Sequence, residues 1–306
     1  MKIKVANLAF SNNKELVNRL QIMFPDSEIN NTNTRLTGDE LVDFFYDADG
    51  VIVGLEKVDE ALLKKLPNLK IIAKYGVGLD NIDLDACKNR NIDVGWNGGV
   101  NKSAVAEMAL GFMISLSRNL YSTSNQLKEL IWNKNGGFQI SGKTIGIIGC
   151  GHIGRELVEL LQVFKCKILI NDILDLSSIS FPSSDIKFVD KEFLFENSDI
   201  ISIHTPLTDM TKNLFNRDTF IKMKNNSFLI NTARGGIVNE IDLEYALKNN
   251  LIAGAAIDVY DFEPPQNVGL LSLPNLICTP HIGGNSYEAV IAMGISALSH
   301  LNNFIK

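Results

Sequence analysis

Short, continuously apolar runs alternate with longer amphipathic stretches along the whole chain. The runs at residues 3–8, 50–54, 71–73 and 92–94 read as strands, as do those at 144–148, 168–171, 200–204, 228–231, 255–259 and 276–279. Most show no alternation of polarity, which is how strands buried on both faces of a parallel sheet read. Helix-length segments such as 14–23, 61–66 and 242–248 lie between them. This βαβα rhythm predicts an α/β fold of doubly wound parallel sheets. One segment differs: from Asn101 to about Leu127, apolar residues recur at Val105, Met108, Ala109, Phe112, Met113 and Leu116. Offsets of three and four mark one face of a long helix, with a strand-rich block on either side. A second helical pattern, 287–305, closes the chain.

Length and charge narrow the picture. At about 100–200 residues per domain, 306 residues suggest two domains or one large one. The 29 Lys and Arg against 35 Asp and Glu leave a net charge of −6, which argues against a nucleic-acid partner, since backbone binding needs a dense basic face. Cys87, Cys150, Cys166 and Cys278 lie in or beside apolar stretches and none belongs to a CxxC pair. Neither a disulfide framework nor a zinc site is expected. The start, Met1-Lys2-Ile3-Lys4-Val5-Ala6, lacks the apolar segment of a signal peptide. No apolar run approaches the ~18 residues of a membrane span. The expectation is a cytoplasmic protein with no membrane partner.

The sharpest local signal is Gly149-Cys150-Gly151-His152-Ile153-Gly154, which follows a buried-strand run and opens a helical stretch. Gly149 permits the tight turn, Gly151 lets a pyrophosphate approach the backbone, and Gly154 lets helix and strand pack closely. The helix N-terminus offers free N–H groups and a positive dipole end to phosphates. Asp172 ends the next strand, 18 residues after Gly154, where a carboxylate can accept hydrogen bonds from the adenosine ribose. Strand, glycines, helix and acid together read as a dinucleotide site. Asp172 would repel a 2′-phosphate, and Ile173-Leu174-Asp175 supply no cation to receive one, so NAD is expected over NADP.

Chemistry-bearing residues cluster after the later strands, whose C-terminal ends face the ligand crevice of a parallel sheet. Arg234, in Asn231-Thr232-Ala233-Arg234-Gly235-Gly236, has a planar fork suited to a carboxylate. Asp258 lies at the end of the next strand and Glu263 follows it, and His281 stands in Thr279-Pro280-His281-Ile282-Gly283-Gly284. His152 sits in the glycine turn, His204 ends a strand, and His300 lies in the final helix. Spacing alone leaves His281 open between a positioned reactive group and a structural histidine.

Together these segments resemble the D-2-hydroxyacid dehydrogenase family, which includes phosphoglycerate dehydrogenases. The match runs through 76–83, 104–107, 146–154, 204–208, 231–238, 254–259 with Glu263-Pro264-Pro265, and 279–284. The resemblance implies a Rossmann NAD domain, residues 99–284, inserted into a flavodoxin-like substrate domain, residues 1–98 plus 285–306. The active site would lie in the cleft between them, and a homodimer is expected. The resemblance makes His281 the general acid/base, Glu263 its carboxylate partner, and Arg234 the holder of the substrate carboxylate. Substrate contacts would come from Lys74, Val77, Gly78, Arg234 and His281. The cofactor set would comprise the residues Gly149, Gly151, His152, Ile153, Gly154, Asp172, His204, Thr205 and Pro206. It continues with Thr211, Thr232, Ala233, Arg234, Asp258, His281, Gly283 and Gly284. Direct hydride transfer needs no metal.

Lys74 stands where the phosphoglycerate branch typically has arginine, so 3-phosphoglycerate is not favoured over glyoxylate, hydroxypyruvate or a sugar-derived hydroxyacid. The second reading is an NAD-sensing interaction protein, like the co-repressor branch of the same family.

Overall fold

The computed structural model describes residues 1–174, 176 and 185–305. They form two compact units, Met1–Asn101 with Gly284–Lys306, and Lys102–Gly283.

Among the described residues, the first unit holds a five-stranded parallel sheet. Its strands are β1 (Ile3–Val5), β2 (Glu28–Ile29), β3 (Gly50–Val53), β4 (Ile71–Lys74) and β5 (Asp93–Gly95), in the order β2-β1-β3-β4-β5. Successive residues of these strands feed opposite faces. Val51 and Val53 enter one core with Ile72, while Ile52 enters the other with Ile71 and Ala73. Hence the apolar runs are continuous. The helix Tyr287–Ile305 covers the second of these faces with Met293, Ala297, Leu298 and Leu301.

The second unit carries a seven-stranded parallel sheet among the described residues. Its strands are β6 (Thr144–Ile148), β7 (Lys167–Asn171), β8 (Ile186–Phe188), β9 (Ile200–Ile203), β10 (Phe228–Asn231), β11 (Gly254–Ile257) and β12 (Leu276–Cys278). The order β12-β11-β10-β9-β6-β7-β8 reverses direction between β6 and β9. Such a switch point opens a crevice at the carboxyl ends of the strands. Two cores again flank the sheet. Ile148, Ile201, Leu229 and Ala255 face one, and Ile147, Ile200, Ile230 and Ala256 the other. No helix among the described residues is long and apolar enough to cross a membrane.

Several elements differ from the pattern of apolar spacing. The single helix expected after Asn101 is two, Lys102–Ser117 and Leu120–Lys128. Asn119 breaks it with a left-handed φ of 52°, and its carbonyl accepts from the Thr123 hydroxyl at 2.6 Å. Asparagine tolerates that backbone region better than most residues. The apolar run at residues 3–8 ends as a strand at Val5, because Asn7 caps a helix at Leu8–Ser11 by accepting the Phe10 N–H. The strands β2 and β8 have no counterpart among the expected runs. Both are edge strands of two or three residues, too short for a pattern to register.

Candidate active site

The glycine turn follows β6 directly. Gly149 takes a positive φ of 89°, and a Cβ there would stand 2.7 Å from the His204 carbonyl oxygen on the neighbouring β9 segment. Only glycine fits so close to a second strand end in that conformation. Gly151 caps the helix His152–Gln162, and a Cβ built on it meets no atom within 4 Å. His152 is exposed and Ile153 half-buried, so the N-terminal turn of this helix is open to a ligand. Asp172 closes the turn from β7. Its carboxylate accepts the Cys150 N–H at 2.6 Å and the Leu174 N–H at 2.9 Å. The acid expected at the ribose thus clamps the glycine turn. Asp175 lies outside the described residues.

Beyond β9, His204 meets the Ser202 hydroxyl through Nε2 at 2.9 Å, while its Nδ1 is buried and has no protein partner. The hydroxyls of Thr205 and Thr232, after β9 and β10, are likewise buried and unpartnered. Orphaned buried polar atoms are costly in a folded chain and call for an explanation. His204 and Thr205 stand beside the glycine turn, and unpaired polar atoms there fit a polar ligand such as a dinucleotide. Burial holds His204 neutral, with its pKa pushed down to about 3. Thr211 is placed differently: its hydroxyl accepts the Thr208 N–H and donates to the Pro206 carbonyl, closing an exposed loop. It thereby shapes the Pro206 segment.

The Arg234 turn is built by Asn231, which no spacing singled out. Its buried side chain accepts the Ala233 N–H at 3.1 Å and donates to the Arg234 carbonyl at 2.9 Å. The Arg234 guanidinium donates to the Ala233 carbonyl at 2.7 Å. Gly235 then passes beneath the next segment, where its Cβ would lie 1.9 Å from the Tyr260 carbonyl oxygen.

Because β11 and β12 are neighbours, the segments that follow them meet. His281 Nδ1 lies 2.8 Å from both carboxylate oxygens of Glu263, and a third of each side chain remains exposed. His281 itself adopts a left-handed φ of 52°. Its loop is fastened by Asp258, which is 1 % exposed. Asp258 accepts the Thr279 hydroxyl at 2.6 Å, the Ile282 N–H at 2.8 Å and the Gly283 N–H at 2.7 Å. Tyr260 adds a bond from its hydroxyl to the Thr279 carbonyl at 2.8 Å. Asp258, expected among the cofactor contacts, thus acts on the loop that presents His281.

The residues of the first unit form their own cluster. Lys74 is buried at the end of β4; its ammonium donates to the Gly54 carbonyl and, at 2.5 Å, to Asn81 Oδ1. Asn81 in turn donates to the carbonyl oxygens of Gly54 and Glu56. Gly76 has a positive φ of 125°, and the Val77 carbonyl accepts the Trp96 indole N–H at 2.7 Å. Val77 and Gly78 are half-buried. Gly284 also belongs to this unit, packed against the Asn101 side chain. Among the described residues no group of His, Cys, Asp and Glu is arranged to hold a metal ion.

Residues 110–283 match the family model described as D-isomer specific 2-hydroxyacid dehydrogenase, NAD binding domain. A hydroxypyruvate reductase from Thermotoga maritima is 36% identical over 289 residues, covering 92% of each chain. A glyoxylate reductase from Thermofilum pendens is 37% identical over 276 residues, or 88% of this chain and 81% of the relative. Among solved structures, a D-lactate dehydrogenase from Aquifex aeolicus, complexed with NAD and lactic acid, has a TM-score of 0.85 at 25% identity. That likeness covers 100% of this chain and 95% of the other.

Proposed function

The chain belongs to the D-isomer specific 2-hydroxyacid dehydrogenase family, whose reaction is NAD-dependent oxidoreduction of 2-hydroxyacids, and we propose that His281, Glu263 and Arg234 carry that reaction here. The observation behind this reading is the 2.8 Å contact between Glu263 and His281 Nδ1. A carboxylate on Nδ1 fixes the ring and its tautomer and leaves Nε2 as the working nitrogen. In reduction, Nε2–H gives its proton to the substrate carbonyl oxygen as C2 is reduced; in oxidation, neutral Nε2 takes the hydroxyl proton. Glu263 stabilises the imidazolium form that the reductive direction starts from. Arg234 holds the substrate carboxylate through its planar fork. The backbone N–H groups at Val77 and Gly78, with Lys74 behind the turn, are assigned to substrate binding.

Bound NAD supplies the hydride acceptor, and its reduced form the donor. The residues that would hold it are the Gly149–Gly154 turn, Asp172, His204, Thr205 and Thr232, a fit supported by the orphaned atoms above. The Asp172 carboxylate favours NAD over NADP by like-charge repulsion of a 2′-phosphate. The same reading includes a homodimer in the cytoplasm, with a small anionic 2-ketoacid or 2-hydroxyacid as the partner and no nucleic acid.

The test is NADH oxidation with a panel of 2-ketoacids: glyoxylate, hydroxypyruvate, pyruvate and phosphohydroxypyruvate. Turnover with at least one, faster with NADH than with NADPH, is expected. Binding of NADH without turnover on any member would overturn the reading in favour of an NAD-sensing interaction protein.

A further inference from the structure

Glu240 opens the helix Glu240–Lys248, just after the turn that bears Arg234. Its carboxylate reaches away from its own helix and accepts the Asp261 N–H at 2.8 Å. Asp261 lies two residues before Glu263, in the exposed stretch that carries the histidine's partner. The same two segments touch where Gly235 runs beneath the Tyr260 carbonyl and the Asp261 nitrogen. Glu240 is thus a side-chain tie between the Arg234 segment and the Glu263 segment.

We propose that Glu240 is a positioning residue that holds the Asp261–Glu263 turn so that Glu263 meets His281 Nδ1. This rests on the reading of Glu263 and His281 given above. The tie works through acceptance of one N–H, so reach is what matters and not charge. Asp261 and Tyr260 are the ionisable groups beside Glu240, with Glu263 further along the same turn. Burial, with Asp261 as a lesser like-charge neighbour, raises the Glu240 pKa above the usual carboxylate value. A glutamine keeps an oxygen at the same reach. An aspartate keeps the charge but is one methylene too short.

Steady-state kinetics and pH–rate profiles of Glu240→Gln, Glu240→Asp and Glu240→Ala decide the matter, with NADH affinity measured by fluorescence. Displacement of a reacting group by about 1 Å costs on the order of 10²-fold in rate. The Asp and Ala variants should therefore lose about 10- to 100-fold in kcat, keep their NADH affinity, and show a moved ionisation in the kcat profile. The Gln variant should stay within about threefold of the parent, since it keeps the accepting oxygen. A merely structural helix residue would leave the profile in place. An Asp variant with parental kinetics, a Gln variant as impaired as Ala, or unmoved profiles throughout would overturn the proposal. His281→Ala, run alongside, separates the two failures. If it retains turnover, the acid–base reading itself falls; if it is inactive while all Glu240 variants are parental, only the positioning role falls.

Discussion

Replacing Gly235 by alanine perturbs the candidate site at the point where two of its segments cross. Gly235 has no positive φ, so alanine meets no backbone penalty there, and only space opposes it. The added methyl would sit 1.9 Å from the Tyr260 carbonyl oxygen, 2.2 Å from its carbon and 2.8 Å from the Asp261 nitrogen. All three are backbone atoms, so no side chain can rotate away. Relief requires the Tyr260–Asp261 backbone to retreat by roughly 1.5 Å to reach ordinary van der Waals separation. Overpacking of this kind costs about 1–3 kcal/mol, or a fall in Tm of roughly 2–12 °C at ~2–4 °C per kcal/mol for a domain of this size. The effect on turnover should be larger, because the displaced segment carries Glu263. A shift of about 1 Å predicts a loss near 10²-fold in kcat. Differential scanning calorimetry and NADH-coupled kinetics on the same preparation give both numbers. A Gly235→Ala variant with parental kcat would refute the claim that this crossing positions Glu263, whatever its melting temperature.

Two further predictions concern the cofactor turn and pH. Gly151→Ala adds a methyl that meets no protein atom within 4 Å, so Tm should stay within about 1 °C while NADH affinity falls at least tenfold; unchanged NADH fluorescence titration would argue against a pyrophosphate at this turn. His204 is held neutral, with its pKa pushed down to about 3, whereas the unfolded imidazole takes a proton below its ordinary value near 6.5. Its share of stability is full above pH 6.5 and is lost as pH falls towards 3, at up to about 1.4 kcal/mol per unit. Urea unfolding at pH 7 and pH 5 should therefore show a loss of up to about 2 kcal/mol that His204→Gln removes; equal pH slopes in the two proteins would contradict the burial argument.

How much of this was legible beforehand differs by feature. The central strands were legible because burial on both faces leaves uninterrupted runs such as Ile147-Ile148 and Leu229-Ile230. The edge strands β2 and β8 were not, since two or three residues with one polar-facing side carry no period. The helix break at Asn119 was hidden because apolar spacing continues up to it and only the backbone changes. In the candidate site, the glycine turn and the reactive side-chain types could be read from local order. The bonds that arrange them could not: Asn231 within its turn, Asp258 on the His281 loop, and Glu240 on the Asp261 N–H. These last two join residues 20 or more positions apart in ways that no motif encodes. Asp258 and Thr211 illustrate the same limit from the other side. The resemblance places both among the cofactor contacts, and their side chains also close loops, a role the resemblance does not carry.

The acid–base role of His281 is the central claim, and kcat of His281→Ala tests it most directly. With the best 2-ketoacid of the panel at saturation, kcat should fall by about 10²–10⁴-fold, the usual contribution of a general acid–base group, while NADH affinity stays within a few fold. Turnover at the parental rate by a folded, NADH-binding His281→Ala protein would contradict the account.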